Sequence, residues 1–182
     1  MENELSDCLT HILAVTETWL TPRIDSSCVA VKNYNLVRND RAIFADGQTR
    51  YIQGGGDACY LHNSLSYSIL ECSVNDSINT PEYLFLDIKS SSINLLFIIM
   101  YRRPEGHLFA EFLIKFNSHI SAYKNIIVTG DLNCNLLDNT FDSKYLKDFI
   151  YDYSLFSVPF GPTHHSFSSS QIDVMIVDSG VK

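Results

Sequence analysis

Short apolar runs that end in polar side chains recur along this chain. Residues 125–129 form a β-branched run closed by Gly130, and Asp131 and Asn133 follow directly. A run of this kind predicts a buried strand that ends in a tight turn. Because residues two apart on an extended backbone point to the same side, the Asp131 carboxylate and the Asn133 carboxamide should lie side by side at the lip of a sheet.

Other apolar runs end in the same way. Residues 11–16 precede Glu17, residues 94–100 lead into Tyr101, and Asp173 opens the run 174–177. Polar groups at the ends of separate buried strands are typical of α/β enzyme sites. Carboxylates combined with an amide and a tyrosine suit a hard divalent cation and a phosphate group.

The remaining pattern predicts the architecture. Residues 82–88 and 93–100 read as a β-hairpin, whereas 109–120 and 146–153 have helical spacing, the second with Asp142 or Ser143 as its N-cap. A helix is also expected over residues 5–12, and the polar stretch 21–53 is expected to be irregular. Paired strands followed by strand–helix alternation predict an α/β (α+β) fold, a four-layer sandwich of two packed mixed sheets flanked by helices.

Composition narrows the class of protein. A chain of 182 residues is most simply one domain. It has no apolar run of membrane-spanning length and no signal-peptide pattern at its start, and its five scattered cysteines indicate reduced thiols. We therefore expect an intracellular protein without membrane contact. The net charge of −8 argues against non-specific DNA coating, but not against a nuclease, since bound Mg²⁺ brings positive charge to a phosphate.

Six segments, in this order, resemble the endonuclease/exonuclease/phosphatase superfamily, whose fold is DNase-I-like. The closer likeness is to the endonuclease domain of LINE-type (non-LTR) retrotransposons. The segments span nearly the whole chain, and their joint order is far more specific than any one of them. They are Thr-Glu-Thr-Trp-Leu (16–20), Arg-Asn-Asp-Arg (38–41), Gly-Gly-Gly (54–56) with Tyr60, Tyr-Arg-Arg-Pro (101–104), Gly-Asp-Leu-Asn (130–133) and Gln-Ile-Asp (171–173).

The resemblance implies a role for each matched polar residue. Glu17 would ligate Mg²⁺, or Mn²⁺ in its place, and Tyr101 would hydrogen-bond the scissile phosphate. Asp131 would orient and deprotonate the attacking water, and Asn133 would hold a non-bridging oxygen. Asp173 would fix a catalytic histidine by hydrogen bonding.

Two neighbouring arginines and a pair of histidines each have two alternative interpretations. Arg102 and Arg103 are expected to contact substrate phosphates, with a solvated loop as the alternative. His164 and His165 could bind a metal or replace the family's histidine, with an ordinary surface loop as the alternative.

The sequence departs from the family at both ends. The family has an N-terminal strand with a metal-site asparagine and a C-terminal Ser-Asp-His segment, and neither has a counterpart here. We therefore expect a single domain over residues 1–182 that lacks the first strand and the C-terminal histidine segment. Asp57 also stands where the family has an apolar residue, and a buried carboxylate there would be costly without a partner.

These observations favour one function over two others. The first is Mg²⁺-dependent nicking of DNA, in the nucleus if the DNA is chromosomal. The new 3′-hydroxyl would then prime a reverse transcriptase region of a longer polyprotein. The alternatives are a catalytically inactive remnant of the same domain and a phosphoesterase acting on inositol phosphates or lipids.

Overall fold

The computed structural model describes residues 10–45, 48–51, 54–73, 80–91, 93–104, 106, 109–165 and 169–178. Its helices are a 3₁₀ helix (Ser26–Val29), α1 (Ala110–Ile120) and α2 (Phe141–Asp152). Its strands are β1 (Ile12–Val15), β2 (Tyr34–Asn39), β3 (Ala42–Ala45), β4 (Gln48–Tyr51), β5 (Asp57–His62), β6 (Ser66–Cys72), β7 (Glu82–Lys89), β8 (Asn94–Tyr101), β9 (Asn125–Asp131), β10 (Leu155–Ser157), β11 (His164–His165), β12 (Ser169–Ser170) and β13 (Asp173–Asp178).

Most strands belong to two sheets. The larger has six strands in the order β10-β13-β9-β8-β7-β6, and only β8 and β9 in it run parallel. The smaller has three antiparallel strands in the order β1-β5-β2. The strands β3 and β4, and likewise β11 and β12, form two separate antiparallel pairs. The parallel β8–β9 pair is joined by α1, because parallel neighbours need a crossover connection.

Two apolar layers hold these elements together. Between the sheets, Cys59 and Leu61 of β5 pack against Leu86 of β7 and Ile99 of β8. On the other face of the larger sheet, both α-helices cover a second core that contains an aromatic cluster of Phe85, Phe112, Phe116 and Phe149. Two packed sheets flanked by helices confirm the predicted fold class.

Local details differ from the predictions in the polar regions. The stretch expected to be irregular contains β2 and the β3–β4 hairpin. The N-cap of α2 is Thr140, whose Oγ1 accepts a bond from the Ser143 amide at 3.2 Å, so neither Asp142 nor Ser143 is the cap. Ile12 lies in β1 rather than in a helix, and residues 10 and 11 are not helical either. Residues 5–9 of that predicted helix lie outside the described residues.

Within the described ranges, no helix is long and apolar enough to span a membrane. Among the described residues, Cys59 and Cys134 are buried free thiols, whereas Cys28 and Cys72 are exposed.

Candidate active site

Four strand ends converge where the two sheets meet. The Tyr101 hydroxyl, at the end of β8, donates a 2.5 Å hydrogen bond to Glu17 Oε1, just beyond β1. Asp131 at the end of β9 stands directly opposite Asp173 at the start of β13 in the antiparallel register. The structure thus brings together the predicted carboxylates and tyrosine from both sheets.

Glu17 is held by a turn that leaves β1. Both Glu17 and Trp19 have positive φ values, 52° and 55°, which non-glycine residues adopt at a cost. The amides of Thr18 and Trp19 donate to the carbonyls of Gly56 and Gly55, at 3.1 and 2.9 Å. The triple glycine therefore holds this turn through the carbonyl groups of Gly55 and Gly56, and it leads into β5.

Close strand packing explains the glycine before Asp131. Gly130 has a φ of 140°, and a Cβ atom built on it would lie 2.0 Å from the Met100 carbonyl oxygen. Only glycine lets β9 approach β8 this closely. The approach sets the position of Asp131, whose backbone carbonyl accepts the Arg102 amide at 2.9 Å.

The Asp131 carboxyl is the strongest candidate for a general base. Partial burial, opposed by a hydrogen bond from the Asn133 amide, raises its pKa to about 6, and the charges of Asp173 and Glu17 add to the rise. A pKa near the working pH is what proton transfer in catalysis requires. The Asn133 amide reaches Asp131 Oδ1 at 2.9 Å and so fixes the direction of the carboxylate.

Asn133 is anchored more firmly to the backbone than the sequence suggested. Its φ is 47°, and its Nδ2 donates a 2.7 Å hydrogen bond to the Arg102 carbonyl. One amide hydrogen is thereby used to close the turn after β9. The predicted contact with a non-bridging phosphate oxygen would depend on the other.

Arg102 does not lie where a substrate contact was predicted. Its side chain is 1% exposed. It donates to the carbonyls of Leu132 and Gly106, at 2.9 and 2.6 Å, and pairs with Asp142 at 2.7 Å. A short basic segment after a strand suggested solvent exposure, but the loop folds back over the guanidinium. Arg102 therefore connects the turn after β9 to α2, whereas half-buried Arg103 keeps its predicted role as a prediction.

The histidine pair lies in a short hairpin near the site. His164 is exposed and stands opposite Ser170 in the β11–β12 pair. Thr163, just before it, accepts the Asp173 amide on its Oγ1 at 3.1 Å. The hairpin thus supports the start of β13, and a direct role for either histidine stays a prediction.

Arg41 and Glu82 lie behind the site, and neither was predicted as a site residue. Arg41 Nε donates to Glu82 Oε1, and the Arg41 guanidinium lies 5.5 Å from the Tyr101 ring centroid. Burial raises the pKa of Tyr101 above its usual range, and the Glu17 hydrogen bond adds to this. The phenol is therefore a hydrogen-bond donor at neutral pH. The only sequence signal was that Arg41 closes the matched segment 38–41.

Clefts flank these residues on both sides. One, of about 230 Å³, is lined by Thr16, Thr129, Gly130 and Asp173 and lies between the two sheets. The other, of about 400 Å³, is lined by Asn133, Asp138 and Phe141 among others. The first cleft thus reaches Gly130 and Asp173, and the second reaches Asn133, which are neighbours of Asp131 in the chain or across the sheet.

The donor set fits a hard divalent cation held mainly by water and substrate. The described residues include no group of three or more His, Cys, Asp or Glu side chains placed to hold one ion. Mg²⁺ keeps several waters and binds proteins through one or two carboxylates plus substrate phosphates. Glu17 would be such a ligand. The Tyr101 hydroxyl orients the Glu17 carboxylate, and Asp131 lies close enough for the charges of the two carboxylates to interact.

The sequence matches no protein-family model and no curated protein. Its structure, however, is similar to the endonuclease domain of TRAS1, a telomere-specific non-LTR retrotransposon. The TM-score is 0.68 at 13% identity, over 98% of this chain and 77% of that chain. A mannosyl-6-phosphatase from Bacteroides thetaiotaomicron (0.61, 16% identity, 98% and 74% covered) and the 3′ phosphatase NExo from Neisseria bound to product DNA hairpin (0.62, 12%, 98% and 80%) are also similar.

These likenesses define the class of fold. The chain has the DNase-I-like fold, which it shares with these endonuclease and phosphatase structures. The likeness to the retrotransposon endonuclease domain extends over nearly the whole chain, as the order of its sequence segments predicted.

Proposed function

We propose that this protein hydrolyses phosphodiester bonds, and that it nicks DNA with Mg²⁺ or Mn²⁺ in the manner of a LINE-type endonuclease domain. The observation that carries the proposal is the convergence of Glu17, Tyr101, Asp131 and Asp173 at one seam between the sheets. Similarity to the TRAS1 endonuclease domain supports DNA as the substrate.

Each side chain would have one task in the reaction. A cation bound at Glu17 would neutralise charge on a phosphate oxygen. Asp131, with a pKa of about 6, would take the proton of the attacking water. Tyr101, whose raised pKa keeps it protonated, would donate a hydrogen bond to the phosphate. Asn133 would brace Asp131 through its backbone amide.

The wider role that we propose follows from the product. Nicking leaves a 3′-hydroxyl, the group that a reverse transcriptase region of a longer polyprotein would extend. A protein with this role would act on chromosomal DNA and therefore in the nucleus.

The test is a nicking assay on supercoiled plasmid with Mg²⁺ or Mn²⁺. Asp131→Asn should lower the rate by about 10²–10⁴-fold, because it removes the proton acceptor but keeps the shape. Asp148→Asn, an exposed carboxylate on α2, is the matched control and should nick like the wild type. Absence of metal-dependent nicking by the wild type, or nicking that survives Asp131→Asn, would contradict the proposal.

A phosphomonoesterase is the second candidate, and the charge distribution favours it. Arg38, Arg41 and Arg102 are each paired with a carboxylate, and the chain carries a net charge of −8. These three arginines are therefore held by carboxylates and do not offer free charges to a long DNA backbone. Phosphate release from a 3′-phosphorylated oligonucleotide or an inositol phosphate, without plasmid nicking, would support this candidate over the first.

A further inference from the structure

The Arg41 guanidinium is buried behind the candidate site. The side chains of Arg41 and Glu82 are each 5% exposed, and they form an ion pair through Arg41 Nε and Glu82 Oε1. Glu82 Oε2 accepts the Gly56 amide at 2.6 Å. The Glu82 carboxylate thus holds both Arg41 and the turn Gly54–Gly56, which is called the glycine turn below. Because Arg41 is buried, it cannot contact a phosphate at the protein surface.

The position of the guanidinium depends on the absence of a side chain at Gly55. A Cβ atom there would lie 2.0 Å from Arg41 Cζ. The Tyr101 ring centroid lies 5.5 Å from the same Cζ atom. The flat guanidinium therefore occupies a space between the glycine turn and the aromatic ring. A planar cation can stack on a ring and form a directed ion pair at once, which an ammonium group cannot.

Both neighbours of this guanidinium also hold Glu17. The Tyr101 hydroxyl donates to Glu17 Oε1 at 2.5 Å. Gly55 and Gly56 accept the amides of Trp19 and Thr18, the residues that follow Glu17. Arg41 therefore contacts the two structures that fix the Glu17 carboxylate, although it does not touch that carboxylate itself.

We propose that Arg41 is a positioning residue. Its ion pair with Glu82 fixes the Tyr101 ring and the Gly54–Gly56 turn, and through both of them it sets the orientation of the Glu17 carboxylate toward a bound cation. The mechanistic part rests on the proposed function, because Glu17 is a metal ligand only there. The geometric part, that Arg41 orders the Glu17 turn, does not depend on activity.

The fluorescence of Trp19 reports directly on the turn that holds Glu17. Trp19 is the only tryptophan of the chain. A Cβ atom built on Gly54 would lie 3.9 Å from the Trp19 ring and 3.7 Å from Arg41 Nη1, so both side chains lie close to Gly54. The fluorescence emission of Trp19 and its quenching by acrylamide therefore report the order of this turn without any assay of catalysis.

The experiment compares Arg41→Lys with Ile88→Ala. The first keeps the charge but loses the planar fork. The second removes core volume near the opposite end of β7 from Glu82 and lowers stability without touching the turn. Under conditions where both are folded, Arg41→Lys should shift the Trp19 emission and increase quenching. It should also raise the Mg²⁺ or Mn²⁺ requirement or lower the rate by about 10–100-fold, as loss of a metal ligand's supporting residue does.

Ile88→Ala should leave the Trp19 signal and the metal requirement at wild-type values. The inference is overturned if Arg41→Lys matches the wild type in fluorescence, or if Ile88→Ala changes it equally. If Arg41→Lys does not fold, Glu82→Gln, which keeps an acceptor for Gly56 but loses the charge, takes its place with the same expected result. If the wild type proves inactive on every phosphate ester, the proposed function fails, and fluorescence alone decides the geometric part.

Discussion

Asp131 is a carboxyl group whose surroundings disfavour its charge. Burial and the nearby Asp173 and Glu17 carboxylates raise its pKa to about 6. Because only the deprotonated form can accept a proton from water, kcat/KM should rise with pH through about 6 and level off above it. Asp173→Asn removes one of the like charges, so the rise of kcat/KM should occur at a lower pH in this variant. A pH profile of nicking for both proteins checks this, and a rise at the same pH in both would contradict it.

Asp57 is a second disfavoured carboxyl group, and its effect is on stability. It is fully buried, and neither carboxylate oxygen has a hydrogen-bond partner among the described residues. Burial, with the charge of Glu82, holds its pKa well above the usual range. The folded state therefore keeps its proton while the unfolded state loses it, so the protein loses stability as pH rises from about 4 toward the folded-state pKa.

Asp57→Asn keeps the size and cannot ionise. Its free energy of unfolding should exceed that of the wild type by an amount that grows with pH, and Asp57→Val should add the about 1–3 kcal/mol that a buried unsatisfied polar group costs. Urea unfolding at acidic and neutral pH measures both. A gain for Asp57→Asn that is the same at every pH would show that ionisation of Asp57 is not the cause.

At the level of elements, the predictable parts are those that apolar periodicity determines. The strands that lead to Glu17, Tyr101 and Asp131 were predicted because each contains a continuous apolar run. The strands β2 to β4 were missed because the apolar runs in the polar stretch 21–53 are short. Tertiary pairing with β5, rather than local pattern, makes β2 a strand.

The same limit explains the errors at single polar residues. Arg102 was expected to contact substrate phosphates, or else to lie in a solvated loop. It is buried instead, because it meets the Leu132 carbonyl and the Asp142 carboxylate, and both are distant in sequence. The N-cap moved to Thr140 because several neighbouring side chains could act as caps, and backbone geometry selects among them.

The contact between β8 and β9 gives a sharp test at this scale. Gly130→Ala should destabilise the protein, because its Cβ would lie 2.0 Å from the Met100 carbonyl, and such overpacking typically costs about 1–3 kcal/mol beyond the strain of its φ. Gly161→Ala is the matched control. Gly161 also has a positive φ, 80°, but its Cβ would meet nothing within 4 Å.

Chemical denaturation of Gly130→Ala and Gly161→Ala separates the cost of overpacking from the cost of backbone strain. The Gly161 variant measures backbone strain alone, about 1–2 kcal/mol. Equal losses for the two variants would mean that the strands move apart without cost, which would contradict the close approach.

For the whole molecule, the two sheets should differ in local stability. The strands β8 and β9 lie inside the larger sheet with neighbours on both sides, and β13 lies between β9 and β10. In the described residues β1 pairs with β5 alone. Weak protection is therefore expected for β1 and not for β13, which has a neighbour on both sides.

Hydrogen exchange followed by NMR measures this difference. The amides of β8, β9 and β13 should exchange slowest, near the global free energy of unfolding, and those of β1 much faster. Protection in β1 equal to that in β9 would contradict the expectation and would indicate a further hydrogen-bond partner for this strand.

The seam between the sheets also links ligand binding to folding. Glu17 follows a strand of the smaller sheet, whereas Tyr101, Asp131 and Asp173 belong to the larger one. A cation held there would join the two layers and relieve the repulsion between carboxylates that face each other across β9 and β13. It would then act as a clamp as well as a cofactor, and the melting temperature should rise with Mg²⁺ but not with NaCl of equal ionic strength. Glu17→Gln should abolish this rise, so that a thermal shift would reveal the occupied site before any substrate is found.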